Sequence, residues 1–277
     1  MPSIVSTIDC DIDYMVVVGF DKGDVFYDTP EGQGEVRQWF EENMASPLAK
    51  AGISVSFVLV EVENTKQKPG PVFNAMLREA YHAGADYFYR LNDDSELTHS
   101  KKDPNKRWPK VFINALNSFQ PPYGVVGPWG GLDRILTHDF VHRTHLDIFK
   151  GVYYPAQLVD WYMDDWVSHV YGKSRTIKSS EFEVVHHTTH HGQRYQVRSD
   201  AEQSTEGWSE STACAIFLHF SSSLRSLQVN RGNERLLHPL IKKGRELIAN
   251  YAEERSWESK SNIINDADTP FRDLPPL

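Results

Sequence analysis

Four clusters of residues carry side chains suited to chemistry. The segment Tyr87–Leu91 (YFYRL) is apolar and runs directly into Asn92, Asp93 and Asp94. Adjacent carboxylates past a strand end suit Mg²⁺ or Mn²⁺, hard cations that prefer oxygen ligands and often bridge to phosphates. The same four-residue stretch, Asn-Asp-Asp-Ser, is also ordinary turn chemistry. The second cluster is DWYMDDWVSHVYG, residues 160–172, which sets Asp160, Asp164 and Asp165 among tryptophans. Read as a helix over 158–171, it puts Leu158, Tyr162, Asp165 or Trp166, and His169 along one apolar side. Asp165 then shares a face with aromatics, where a desolvated carboxylate gains basicity. Asp164 falls on the more polar side. Acids at the positive end of a helix dipole are the simpler alternative.

Histidines form the other two clusters. VVHHTTHHGQRY holds His186, His187, His190 and His191 after an apolar strand. An imidazole ligand there would favour Mn²⁺ over Mg²⁺. HDFVHRTH holds His138, His142 and His145, whose spacing lies on one face if the segment is helical. It resembles the zinc motif H-E-x-x-H with Asp139 in the glutamate position, and so opens a second function class, a zinc hydrolase.

These clusters need a scaffold, and the patterning predicts one. Met15–Gly19, Ser54–Val62, Tyr87–Leu91 and Gly124–Gly127 read as strands. Glu35–Ser46, Pro71–Ala83 and Trp108–Phe119 read as helices, the first ended or kinked by Pro47. The alternation predicts an α/β fold, largely parallel, with ligands at the carboxyl ends of the strands. Gly19, Phe20 and Asp21 lie at one such end. Arg175–Lys178 and Phe182–His187 read as further strands, and Pro239–Glu254 as an amphipathic helix.

With these residues in view, the chain resembles the GT-A glycosyltransferases over about residues 14–195. Ala85–Leu97 is similar to the DxD-type metal motif of that family, in the form Asn-Asp-Asp. Gly19-Phe20-Asp21 matches the first-strand loop that meets the nucleotide. Lys66–Asn74 is similar to the segment beside the nucleotide, with Lys68 and Asn74 able to reach a donor. Met163–Trp166 resembles the acidic motif of the acceptor-side helix in inverting members, in the Asp-Asp-Trp form of N-acetylglucosaminyltransferases acting on N-glycans. The base is Asp164 or Asp165 in that reading. The histidine loop is similar to that of β-1,4-galactosyltransferases, which makes His187, then His190, the further metal ligand.

The resemblance implies a GT-A-like mixed sheet flanked by helices over residues 1–200, with a donor half at about 14–100 and an acceptor half at about 101–200. A helical C-terminal extension and tail would occupy 201–277. It implies inverting transfer of a sugar from a UDP-sugar to a glycan hydroxyl, supported by Mn²⁺ or Mg²⁺. Asn92, Asp93 and Asp94 would face the donor. Trp129, His142, His145 and Trp161 would line the acceptor, with residues 127–131 as a mobile loop. Trp108 and Trp166 are further sugar-stacking candidates. The chain is also similar to small soluble glycosyltransferases of chlorella viruses, which implies a xylosyltransferase using UDP-xylose in the host cytoplasm. A non-catalytic sugar-binding module on the same fold is the remaining alternative.

Composition narrows the classes further. The 277 residues carry 38 acids against 29 bases, a net charge of −9. That argues against a nucleic-acid partner, which calls for a basic surface. No apolar run reaches the roughly 20 residues of a membrane span. The first residues, MPSIVSTIDCDIDYM, lack the basic start and apolar core of a signal peptide. Two cysteines, Cys10 and Cys214, supply no disulfide framework and fit a reducing compartment.

Overall fold

The computed structural model describes residues 2–63, 68–91, 95–129, 135–187, 231–258 and 260–265. It is mixed α/β. A short helix α1 (Pro2–Thr7) precedes β1 (Tyr14–Asp21), α2 (Pro30–Phe40), α3 (Ser46–Lys50) and β2 (Val55–Val62). Then come α4 (Pro69–His82), β3 (Tyr87–Tyr89), β4 (Ser95–Leu97), α5 (Trp108–Asn117) and β5 (Val125–Trp129). β6 (Phe140–His142), α6 (Thr144–Ile148), α7 (Met163–Val170) and β7 (Thr176–His186) follow, and α8 (Arg231–Glu254) and α9 (Lys260–Asn265) end the described chain.

β1 and β2 form a parallel pair, joined through the α2–α3 segment as a right-twisted sheet requires of a parallel crossover. The other five strands form a mixed sheet in the order β3-β6-β5-β7-β4. The expectation of a largely parallel sheet is therefore corrected. In the five-stranded sheet only β5 and β7 run parallel, and the β3–β6, β5–β6 and β4–β7 ladders are antiparallel. Strand β6 follows β5 and pairs with it antiparallel, whereas β4 finds its antiparallel partner in β7, far along the chain.

Helix α4 positions both the sheet and the site. Val72, Met76, Leu77 and Ala80 recur at helical spacing and are buried. Gly19 of β1 lets α4 approach: a Cβ there would lie 2.7 Å from Val72 Cγ1 and 2.8 Å from Met76 Cγ. Gly70 does the same at the start of α4, where a Cβ would lie 2.4 Å from the Leu158 carbonyl oxygen. Its N–H donates to Val159 O at 2.8 Å.

Pro47 does not break its helix. The chain stays helical from 30 to 50, with a π-helical turn at Glu41–Ala45 just before the proline. The wider turn accommodates a residue that lacks an N–H and crowds the carbonyl four positions back. The two strands expected at 175–178 and 182–187 are one strand, β7. Residues 127–129 belong to β5 rather than to a mobile loop. Helix α8, expected over 239–254, spans Arg231–Glu254, which puts Pro239 inside it. α8 packs on α7 in one shared core: Ile248, Ala249 and Ala252 are buried, and Trp166 Nε1 donates to Leu240 O at 3.3 Å. No helix among the described residues is long and apolar enough to cross a membrane.

Candidate functional site

The tripeptide Asn92-Asp93-Asp94 lies outside the described residues, but both flanks are described. Before it, Arg90 is buried to 0% exposure. Its backbone N–H donates to Asp139 O at 3.0 Å, which continues the β3–β6 ladder. After it, Ser95 opens β4 and pairs with His186 of β7. Ser95 Oγ is hydrogen-bonded to His138 Nε2 at 2.8 Å, beneath the same sheet end.

Arg90 organises a buried polar cluster. Its Nε donates to Asp139 Oδ1 at 2.7 Å, and its Nη2 donates to Thr137 O at 2.7 Å and to Asp164 Oδ1 at 2.5 Å. Asp139 also accepts from Tyr153 OH at 2.5 Å and Tyr154 OH at 2.8 Å. Burial pushes both phenols well above their ordinary pKa, so they stay protonated as donors. Burial alone would discharge Arg90, but the charges around it, Asp164 foremost, outweigh that and hold its pKa well above the usual value. The guanidinium carbon also lies 5.3 Å from the Phe73 ring and 5.9 Å from the Tyr154 ring.

The acid pair sits differently from the expected helix face. α7 begins at Met163, so Asp164 and Asp165 occupy its first turn, where carboxylates favour the dipole. Residues 158–162 are held out of the helix by α4. Val159 O accepts from Gly70, Asp160 Oδ2 takes Lys68 Nζ at 2.6 Å, and Asp160 Oδ1 accepts the Trp161 N–H at 2.8 Å. A short polar side chain that captures a nearby backbone N–H competes with helix formation. Tyr162 then turns the chain with φ 66°, a left-handed conformation that costs a bulky residue about 1–3 kcal/mol. The face assignment is therefore corrected: Asp164 is the buried acid, bound to Arg90, and Asp165 is half-buried. Ser168, one turn beyond Asp164, takes the Leu136 N–H at 2.8 Å. Asp164 and Ser168 thus face residues 135–139 as one polar stripe.

The remaining candidates divide between site and scaffold. Gly19 and Phe20 are packed inward, and Asp21 alone of that trio is half-buried at the strand end. Asn74 serves the backbone: its Oδ1 accepts the Tyr153 and Tyr154 N–H groups at 2.9 and 2.8 Å, and its Nδ2 donates to Tyr154 O at 3.0 Å. Its amide clamps the loop that supplies the two tyrosines. Trp108 and Trp166 are core, whereas Trp161 is half-buried and Trp129 is 37% exposed, with Lys178 Nζ 4.6 Å from its ring centroid. His187, half-exposed, has Nε2 2.5 Å from Glu96 Oε2 on the neighbouring strand. His190 and Gly130–Gly131 lie outside the described residues. Among the described residues, no group of three His, Cys, Asp or Glu side chains is arranged to hold a metal ion.

The segment HDFVHRTH is not one helix. Phe140–His142 is β6 and α6 starts at Thr144, so the three histidines do not share a helix face. Asp139 is committed to Arg90 and the tyrosines, which removes it as the base of a zinc motif. His142 is half-buried and bonded to Thr144 Oγ1 at 2.5 Å, with its pKa lowered by burial. His145 is fully buried and cannot line an acceptor groove. Its Nε2 donates to Tyr153 O at 2.9 Å, so Nδ1 accepts from Tyr171 OH at 2.7 Å.

Burial lowers the His145 pKa from 6.5 to about 4. The unfolded chain therefore binds the proton first as pH falls. Stability from the neutral imidazole is complete above about pH 6.5 and is lost progressively toward pH 4, by about 3 kcal/mol in total. Urea unfolding at pH 7.5, 5.5 and 4.0 checks this, with His145→Gln expected to lack that component of the slope. An identical slope in the variant would remove His145 as its source.

Comparison with protein-family models, with curated proteins and with solved structures finds no match.

Proposed function

We propose that the protein is a metal-dependent inverting glycosyltransferase of GT-A type that moves a sugar from a UDP-sugar to a glycan hydroxyl. One observation supports this reading most. Three stretches far apart in sequence, the flanks Arg90 and Ser95 of the acidic tripeptide, Asp164–Asp165 and His186–His187, are tied to one end of the five-stranded sheet. Arg90, two residues before the tripeptide, holds Asp164, and Ser95, directly after it, pairs with His186. Carboxylates and an imidazole together would be a donor set suited to Mn²⁺. Asp93, Asp94 and His187 are the residues that would hold the cation. When bound, it would neutralise charge on the departing diphosphate.

Asp165 supplies the base. The acceptor oxygen attacks the anomeric carbon as the carbon–oxygen bond to the diphosphate breaks, and that electron pair leaves with the diphosphate. The hydroxyl proton passes to the Asp165 carboxylate. One in-line displacement inverts the anomeric centre, by the geometry that separates inverting from retaining glycosidases. Trp161, three residues before Asp164, offers an aromatic face to the acceptor sugar. Lys68, paired with Asp160, ties the start of α4 to the same turn.

A thermal-shift panel of nucleotide sugars, UDP-xylose among them, with and without Mn²⁺ tests the reading. A true donor at a hundredfold its dissociation constant stabilises by about 2.7 kcal/mol. No shift with any nucleotide sugar would remove the donor site. In calorimetry of UDP with Mn²⁺, Asp94→Ala is expected to abolish metal-dependent binding and Asp93→Ala to weaken it, while thermal stability without ligand is retained. Unchanged affinity in both returns 92–94 to a plain turn. His187→Ala is expected to lower activity in a way that excess Mn²⁺ partly restores.

A further inference from the structure

We propose that Arg90 is a positioning residue. It pins the first turn of α7, through Asp164, to the strand that runs into the acidic tripeptide, and so fixes Asp165 relative to the donor. The inference rests on the function proposed above. Its structural half, the mechanical link between β3 and α7, stands on geometry alone.

The guanidinium spans three segments. Nε holds Asp139 on the approach to β6, and Nη2 bridges the Thr137 carbonyl and Asp164. Arg90 is wholly buried and Asp164 is 4% exposed, so solvent does not screen the bond. A planar fork can serve several oxygens in fixed directions, whereas a lysine is a point charge on a flexible stem. The α7 first turn leans on this bond because the residues before it, 158–162, are not helical. They reach α7 through the left-handed Tyr162 and dock on α4 rather than on β3. Asp164 is thereby a structural anion, and its half-buried neighbour Asp165 is presented by the turn that Asp164 anchors.

Arg90→Lys in the full chain is the test, because it keeps the charge and removes the fork. Three quantities are read: kcat and the donor KM for sugar transfer, the affinity for UDP with Mn²⁺, and amide hydrogen exchange. The variant should keep donor KM and affinity within about twofold and lose about 10- to 100-fold in kcat, the scale on which a misplacement near 1 Å acts. Exchange should rise in peptides covering 162–168 and stay at the wild-type level in β1 and β2. A folded Arg90→Lys with wild-type kcat overturns the proposal. So does a kcat loss matched by an equal loss of donor affinity, which would place its effect at the donor.

If Arg90→Lys fails to fold, Asp164→Asn reads the same bond, because the amide keeps the shape and accepts a weaker hydrogen bond. It should raise exchange over 162–168, and unchanged exchange there overturns the link. If the wild-type protein transfers no sugar at all, the function reading fails while the exchange measurements still decide the link between β3 and α7.

Discussion

Asp165→Asn is expected to bind donor and metal normally and to transfer sugar roughly 10²–10⁴-fold more slowly, the contribution of a positioned general base. The substitution keeps size and hydrogen bonding and removes only the basic carboxylate. The structure changes the reason for choosing this acid. Asp165 is not the desolvated partner of an aromatic face. It is the half-buried acid of a first turn whose other acid, Asp164, is bound to Arg90. The Asp164 oxygen that accepts from the buried guanidinium is already engaged by a donor inside the core. Asp164→Asn is therefore expected to lose about tenfold or less, through weaker anchoring of the turn. The product from an α-linked donor is expected to be the β-glycoside. Full loss in Asp164→Asn with normal rates in Asp165→Asn would exchange the two roles. Retention of the donor configuration would sink the single-displacement mechanism itself.

Local signals in the sequence were legible where a single element decides its own form. The spacing of Val72, Met76, Leu77 and Ala80 marks α4 because one stripe of that helix packs on β1. The β-branched run of β2 marks itself in the same way. Reading failed where a tertiary contact overrides a local pattern. Leu158, Tyr162 and Trp166 have helical spacing, yet Gly70 and Lys68 bind 159–160 and keep that stretch bent and non-helical until Tyr162. His138, His142 and His145 also have helical spacing, yet Phe140 and Val141 form a strand opposite Tyr89 and Phe88. Those two residues, aromatic and β-branched, were the signal available. Arg90 was invisible as a site residue. It directly follows the apolar strand β3, and its partners Asp139 and Asp164 are 49 and 74 positions away. Its one sequence-level mark is a lone charge in YFYRL, which demands a buried partner if the strand is central.

That demand makes Asp139 the most costly single residue to remove from the core. Asp139→Ala takes away the acceptor for Arg90 Nε, Tyr153 OH and Tyr154 OH at once. All three donors are fully buried, so water cannot replace the lost oxygens without entering the core. Breaking a buried ion pair from one side costs about 3–5 kcal/mol; Arg90 keeps Asp164, which puts the charge loss at the low end of that range, and the two phenols left without an acceptor add to it. That is a large part of the 5–15 kcal/mol that holds a domain together. Tyr153→Phe removes one donor and leaves Arg90 and Tyr154 on Asp139, so its expected cost is only about 1–2 kcal/mol. Urea unfolding of the two variants beside wild type gives the comparison, with the slope checked for two-state behaviour. Asp139→Ala is expected to be the less stable by at least about 1 kcal/mol on these figures. Equal and small losses in both variants would mean that Arg90 is left with no uncompensated charge when Asp139 is removed, Asp164 sufficing as its partner. The cluster would then be an ordinary hydrogen-bonded core rather than the electrostatic anchor of the strand end and the acid-bearing turn.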